Sequence, residues 1–140
     1  MKMIVTTGLV VLFAFFQQSP LKEYRWKNRL VLVFGEGANS PSIKKKQALF
    51  TKVEQDREER QIKIIYVLPN ICSVENPSSE IGLNPNKVRD YFGVDENFEG
   101  VILVGKDGGE KYRKQGVVAP QQIFDLIDGM PMRQAEMKKG

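Results

Sequence analysis

The chain has 140 residues, of which 41% are hydrophobic, and a formal net charge of +4 at pH 7. This size suits one domain with a hydrophobic core, and the interspersed acidic and basic residues argue against a dedicated nucleic-acid binder. There is no histidine and only one cysteine. Histidine metal ligands, histidine-based catalytic triads, an intrachain disulfide and a CxxC pair are therefore excluded, and we expect no metal or other cofactor.

The first residues have the pattern of a secretory signal peptide. Met1-Lys2 precedes an apolar segment, Ile4–Phe16, which is shorter than the roughly 20 residues that span a bilayer as a helix. No A-x-A cleavage pattern follows it, and a buried N-terminal strand or helix is the alternative interpretation. We predict that residues 1–16 are removed on export and that the mature chain has no transmembrane span. Its location would be the periplasm, the cell surface or the extracellular space.

Residues 17–140 are predicted to form a single domain. A polar linker, 19–27, comes first, and Trp26 within it is expected to pack at the edge of the core. The continuous apolar run 30–34 (LVLVF) is typical of a strand buried on both faces of a sheet. A polar turn then leads into a helix predicted over residues 42–59, with apolar residues at helical spacing.

The start of this helix is the first candidate site. Ser40 and Ser42 are interpreted as helix caps, with a proline between them at the first helical position. Three lysines follow, although cations oppose the dipole at a helix N-terminus. They are interpreted as ordinary surface residues. The alternative is an anion-binding site that consists of Ser40, Ser42, Lys44 and Lys45.

The rest of the chain alternates between strands and helices. A long loop, 69–83, carries Cys72, and a short helix over 84–92 follows the loop. The last helix begins at Pro120, and residues 132–140 are predicted to be a polar, frayed tail. Three further strands are predicted from their residue patterns, of which the last is a charged strand at a sheet edge: 62–68, 100–104 and 110–115.

This order of elements predicts a fold. Strand, helix, strand, helix, hairpin and helix give an α/β domain of the thioredoxin-like class, with a βαβαββα core and a central mixed sheet flanked by helices. Residues 39–42 (NSPS) stand where a thioredoxin has its Cys-Gly-Pro-Cys motif, so Asn39 and Ser42 occupy the two cysteine positions. Gly100 stands roughly where thioredoxins have a cis-proline that faces the active site.

Few residues in this pattern are suited to catalysis. Thiol exchange and peroxide reduction need a thiolate, and a serine at the helix start needs a general base. Ser42 with Lys45 or Lys46 would be such a pair only if the lysine were desolvated, and both lysines look exposed. Cys72 is interpreted as a packing residue, because none of its neighbours lowers its pKa. The alternatives are a one-cysteine peroxidase or thiol oxidoreductase that uses Cys72, or a thiol that pairs with another chain.

Three segments resemble the P-DUDES family, an uncharacterised peroxiredoxin-like domain of short exported bacterial proteins. It also occurs in animal sushi-repeat-containing proteins and related secreted matrix proteins. The segments are PLKEYRWKNRLVLVF, GVILVGKDGGEKYR and LIDGMPMRQAEM, at residues 20–34, 100–113 and 126–137. The resemblance implies a thioredoxin-like fold, export and no demonstrated enzymatic activity. We expect a non-catalytic binding or interaction module whose partner is another protein or a cell-surface or matrix component, and not a nucleic acid.

Overall fold

The computed structural model describes residues 18–139, so the predicted signal peptide lies outside the described residues. Six strands form one mixed sheet with the order β4-β3-β2-β1-β5-β6. The strands are β1 Arg29–Phe34, β2 Ile62–Val67, β3 Cys72–Val74, β4 Glu80–Ile81, β5 Gly100–Val104 and β6 Glu110–Gln115.

Strand β1 is central to the sheet. It pairs in parallel with β2 and antiparallel with β5, and all six of its residues are buried. Strand β6 pairs with β5 at the sheet edge, and nearly all of its side chains are exposed. The continuous apolar run and the charged edge strand were both correctly interpreted, because each pattern reflects how many faces of the strand are covered.

Helices cover both faces of this sheet. Ile43 and Phe124 belong to a core cluster on one face, and Val88 and Leu21 belong to a second cluster on the other. No helix within residues 18–139 has the length and apolar character needed to cross a bilayer. The helices are α1 Pro41–Thr51, α2 Glu54–Glu59, α3 Pro85–Phe92, α4 Pro120–Asp128 and α5 Pro131–Lys139, and a short 3-10 helix spans Lys22–Tyr24.

The single helix predicted over 42–59 is wrong, since it is two helices, α1 and α2. Val53 interrupts the helix, with φ −120° and ψ 34°. Its side chain packs against the core cluster that contains Ile43. Across the break, Arg57 donates a hydrogen bond from Nε to the carbonyl oxygen of Phe50 at 3.2 Å. Helical spacing continued through the break, so the sequence pattern alone did not reveal it.

The predicted loop 69–83 contains the short strands β3 and β4, which extend the sheet beyond β2. Cys72 therefore lies in a strand and not in a loop. The Ser73 hydroxyl donates to the carbonyl oxygen of Pro77 at 2.8 Å, inside the connection between these strands. Strands of two or three residues are too short to show a periodic pattern.

The tail predicted over 132–140 forms helix α5 as far as Lys139. Arg133 is a buried side chain of this helix, and its Nε donates to Asp128 at 3.2 Å. Glu136 accepts two hydrogen bonds from the guanidinium group of Arg29, at 3.1 and 3.2 Å, and one from Lys106 at 2.7 Å. These ion pairs fix helix α5 to the rest of the domain. The helix was not predicted because it has few apolar residues.

The linker predicted over 19–27 packs on the domain through Leu21, which is buried in the second core cluster. The prediction that Trp26 packs at the core edge is wrong, because its side chain is 63% exposed. Trp26 has a positive φ of 68°, and its N–H donates to the carbonyl oxygen of Lys106 at 2.7 Å. The backbone is thus fixed here while the indole faces solvent.

Candidate functional site at the start of helix α1

Three parts of the chain meet at the carboxyl end of β1. The strand ends at Phe34, and a short turn leads directly into α1. Strand β5 runs antiparallel to β1 with Val33 opposite Val101. Consequently Glu99 and Gly100, at the start of β5, lie at the same end of the sheet as the start of α1.

Ser40 caps helix α1, as predicted. Its Oγ accepts a hydrogen bond from the N–H of Ile43 at 3.3 Å, and its carbonyl oxygen accepts from Lys44 at 3.0 Å. Pro41 is the first helical residue, and the first turn carries no acidic side chain. Ser42 lies inside this turn, so its interpretation as a second cap is wrong.

Two glycines allow the backbone segments at this end to approach closely. A Cβ on Gly35 would collide with the side chain of Ile43, so the first turn of α1 lies directly against the end of β1. A Cβ on Gly100 would collide with the ring of Phe98 and with the carbonyl oxygen of Lys114. No cis peptide bond occurs among residues 18–139, so Gly100 provides close packing here without the cis geometry of a thioredoxin proline.

The two residues predicted to stand at the cysteine positions of a thioredoxin lie at this helix start. Asn39 is exposed and Ser42 is half-buried. Neither side chain is a thiol, and the sequence offers no histidine to activate the Ser42 hydroxyl. Because Ser40 already accepts hydrogen bonds from Ile43 and Lys44 and Pro41 has no N–H, the site presents the N–H and the hydroxyl of Ser42, which suit hydrogen bonding to an acceptor.

The three lysines of α1 differ in environment. Lys44 and Lys45 are exposed, but Lys46 is only 1% exposed, which contradicts the expectation that it lies on the surface. Its Nζ is buried with no hydrogen-bond partner among the described residues. Burial lowers the pKa of Lys46, and the nearby carboxylate of Glu99 partly offsets this effect.

A sequence signal for the burial of Lys46 did exist. Lys46 follows Ile43 by three positions and precedes Phe50 by four, and both of these residues are fully buried on the sheet side of α1. Residues with this spacing share one helix face. The run of three consecutive lysines conceals this signal, because only the third lysine lies on the buried face.

Cys72 is separated from the start of α1. It is fully buried in β3, pairs with Val67 of β2, and packs in the core cluster that contains Val88. Ile43 of α1 belongs to the cluster on the opposite face. Burial raises the pKa of the Cys72 thiol to about 11, although the guanidinium group of Arg89 acts in the opposite direction.

Arg89 is a buried cation that sequence reasoning missed. It lies on α3 and is 6% exposed, and its Nη2 approaches the carbonyl oxygen of Val67 at 3.5 Å. Its Nε has no hydrogen-bond partner among the described residues. Within residues 18–139, no group of three cysteine, aspartate or glutamate side chains is placed to hold a metal ion.

Several solved structures resemble this one. The reduced 2-Cys peroxiredoxin of Plasmodium vivax has a TM-score of 0.61 at 11% identity, over 82% of this chain and 84% of that chain. Thioredoxin peroxidase I of Plasmodium yoelii has a TM-score of 0.61 at 13% identity, over 82% of this chain and 79% of that chain. StoA from Bacillus subtilis has a TM-score of 0.50 at 15% identity, over 71% of this chain and 82% of that chain. At such identities the likeness shows the fold alone, and it confirms the predicted thioredoxin-like class.

One family model matches most of the chain. The model is described as DUF4174, a domain of unknown function, and it matches residues 20–136. A comparison with curated proteins gave no match. The match begins just before the 3-10 helix and ends within α5, so it includes all six strands of the sheet.

Proposed function

We propose that this chain, which belongs to the DUF4174 family of domains of unknown function, is a non-catalytic binding module with a thioredoxin-like fold. One observation carries the proposal: the helix start that holds the redox thiols in a thioredoxin holds Asn39 and Ser42, and the lone cysteine is fully buried elsewhere. A reactive cysteine needs an accessible thiolate. A thiol with a pKa of about 11 is almost entirely protonated at neutral pH.

The chain is further proposed to be a P-DUDES domain. Support comes from where the three resembling segments lie. They meet at the amino end of β1, where Glu136 of the last segment binds Arg29 of the first and Lys106 of the second. The backbone bond from Trp26 to Lys106 also joins the first two segments. The resemblance thus follows contacts that hold this fold together.

Export is proposed from the apolar segment behind Lys2, which lies outside the described residues. The mature chain would begin near Gln17, and its partner would be another protein or a component of the cell surface or matrix. N-terminal analysis and intact mass of the protein from its native host test this point. An uncleaved Met1 on a cytoplasmic species would contradict export.

Two measurements test the non-catalytic role. One is the rate of peroxide consumption with added thiol, and the other is the rate of Cys72 alkylation. We expect no peroxide reduction and slow alkylation of the folded protein at neutral pH, because the thiol is covered. Cys72→Ser is the matched control and should leave these rates at background. Rapid peroxide consumption that disappears in Cys72→Ser would establish the thiol-enzyme alternative, which the burial of Cys72 does not favour.

A gain-of-function variant sharpens the same test. Asn39→Cys together with Ser42→Cys would place two thiols at the start of α1, where the helix dipole lowers a thiol pKa. We expect disulfide reductase activity to appear in this double variant and not in the wild type. If the wild type already reduces disulfides, the proposal fails.

Binding itself is tested by crosslinking in intact host cells, followed by a direct affinity measurement between the purified protein and the crosslinked neighbour. We expect saturable binding that Cys72→Ser leaves unchanged. Loss of binding in Cys72→Ser would assign the thiol to the partner interface. No saturable binding to any purified neighbour would contradict a binding role.

A further inference from the structure

Lys46 has a property that the proposed function does not explain. Its side chain is almost fully buried, and its Nζ has no hydrogen-bond partner among the described residues. A buried ammonium group without a partner destabilises a fold, and such groups occur where a ligand or a chemical step needs them. The neighbouring Lys45 is exposed and carries no such cost.

The ammonium group of Lys46 lies toward the start of α1. Helical side chains lean toward the helix N-terminus, and Lys46 is one turn after Ser42 on the same face. Its Nζ is close enough to Glu99 for the carboxylate to affect its pKa. Glu99 lies at the start of β5, which the pairing of Val33 with Val101 places at the carboxyl end of β1. From the helical geometry and the influence of Glu99 we infer that Nζ lies at the end of the sheet from which α1 begins.

The start of α1 supplies what a bound anion needs. The helix has eleven residues and no acidic side chain in its first turn, so its dipole is not neutralised there. The Ser42 hydroxyl is half-buried at this turn. Lys44 and Lys45 add exposed positive charge at the rim. A helix N-terminus alone is a weak argument, but here a buried, unpartnered cation points to the same place.

We infer that Lys46, together with the first turn of α1, binds an oxyanion, either a phosphate group or a carboxylate group. Lys46 donates a charge-assisted hydrogen bond to the anion, and the backbone N–H and the hydroxyl of Ser42, which the cap at Ser40 leaves free, bind its other oxygens. Because Nζ is covered, side chains around it shift when the anion enters. The inference goes beyond the proposed function, since a small anion can bind here whether or not a macromolecular partner exists.

NMR titration of the purified protein tests the site, with inorganic phosphate and acetate as separate probes. We expect the amide signals of Ser42 and Ile43 and the side-chain signals of Lys46 to move together and to saturate at millimolar anion. Saturation with phosphate alone would assign the site to phosphate groups, and saturation with acetate alone would assign it to carboxylate groups. An unchanged spectrum with both anions would overturn the inference.

A matched pair of variants identifies the cation that binds. Lys46→Met keeps an unbranched side chain and removes the ammonium, and Lys45→Met makes the same change at an exposed position. We expect Lys46→Met to weaken phosphate or acetate binding by about tenfold or more, which is typical of a lost charge-assisted hydrogen bond. Lys45→Met should weaken it only slightly, through the long-range field.

Equal affinity in Lys46→Met and wild type would overturn the inference, even if anions bind elsewhere on the helix. Should Lys46→Met fail to fold, the wild-type titration still decides. Lys46 side-chain signals that stay fixed while backbone amides move would show that the anion does not reach Nζ. Because none of these measurements uses a protein partner, failure of this inference leaves the proposed binding module standing.

Discussion

Buried cations lie near both ends of strand β1, but they differ in whether a carboxylate pairs with them. At the amino end, Arg29 is bound through two hydrogen bonds by Glu136, and Arg133 is paired with Asp128. At the carboxyl end, Lys46 is equally buried and has no hydrogen-bond partner among the described residues. A cation that is buried and paired joins elements together, whereas one that is buried and alone weakens the fold. We therefore interpret the amino end as a structural junction and the carboxyl end as the candidate site.

The largest effect is expected in the strand that the two ends share. Val33 is fully buried between both of its neighbouring strands, and Val33→Asp would bury a carboxylate within the apolar core cluster. We expect a loss of about 4 kcal/mol in the free energy of unfolding, measured by chemical denaturation. An unchanged transition would mean that β1 is not a central strand.

A smaller loss is expected from the junction at the amino end. Glu136→Gln keeps the side-chain shape but leaves Arg29 and Lys106 without a carboxylate. We expect a loss of about 2 kcal/mol, because charged hydrogen-bond partners remain buried. The control is Glu110→Gln, whose partner Arg113 lies on the exposed edge strand, and it should cost under about 1 kcal/mol. Equal losses of stability in the two variants would show that the ion pairs of Glu136 stabilise the fold no more than a surface ion pair does.

An effect of opposite sign is expected at the carboxyl end. Lys46→Met removes a buried ammonium that has no partner and fills the same space with an apolar chain. We expect the free energy of unfolding to rise by about 1 kcal/mol in anion-free buffer. Lys45→Met, which changes an exposed residue, should stay within about 0.5 kcal/mol of wild type. A loss of stability in Lys46→Met would show that Nζ is paired in solution, and the two ends would then be alike.

The pH dependence of stability should also separate the two ends. The side-chain hydrogen bond from Arg60 lowers the pKa of Asp128 in the folded protein. For Glu136, burial acts to raise the pKa, but hydrogen bonds from Arg29 and Lys106 outweigh it and lower the pKa. A carboxylate with a lowered folded-state pKa stabilises the fold above its unfolded pKa and loses this contribution as the pH falls.

We therefore expect thermal stability to fall as the pH decreases below 4.5 and 3.8, the ordinary pKa values of these two groups. Melting curves across this range provide the measurement. The fall should be shallower in Glu136→Gln, which has no carboxyl group at this position to protonate. It should be unchanged in Lys46→Met, because that substitution leaves Asp128, Glu136 and the cations that bind them in place. Identical slopes in wild type and Glu136→Gln would contradict a role of Glu136 in the junction.

Local patterns in the sequence determined the central part of the fold. An apolar run predicts a strand covered on both faces, as in β1 and β5, and a charged strand predicts an edge, as in β6. The cap at Ser40 was predictable for the same reason, because its hydrogen bond to Ile43 lies within one turn. Together these elements were enough to predict the thioredoxin-like class.

Only the tertiary structure decided the elements whose stability comes from distant partners. Helix α5 has few apolar residues and depends on Glu136, which binds Arg29, a residue 107 positions earlier in the sequence. Strands β3 and β4 receive their hydrogen bonds from β2 and from each other. Whether Lys46 is buried depends on what packs against α1, and whether its ammonium is paired depends on which carboxylates the fold brings near. A sequence specifies the lysine, but the free energy of its charge is set by neighbours that only the folded chain supplies.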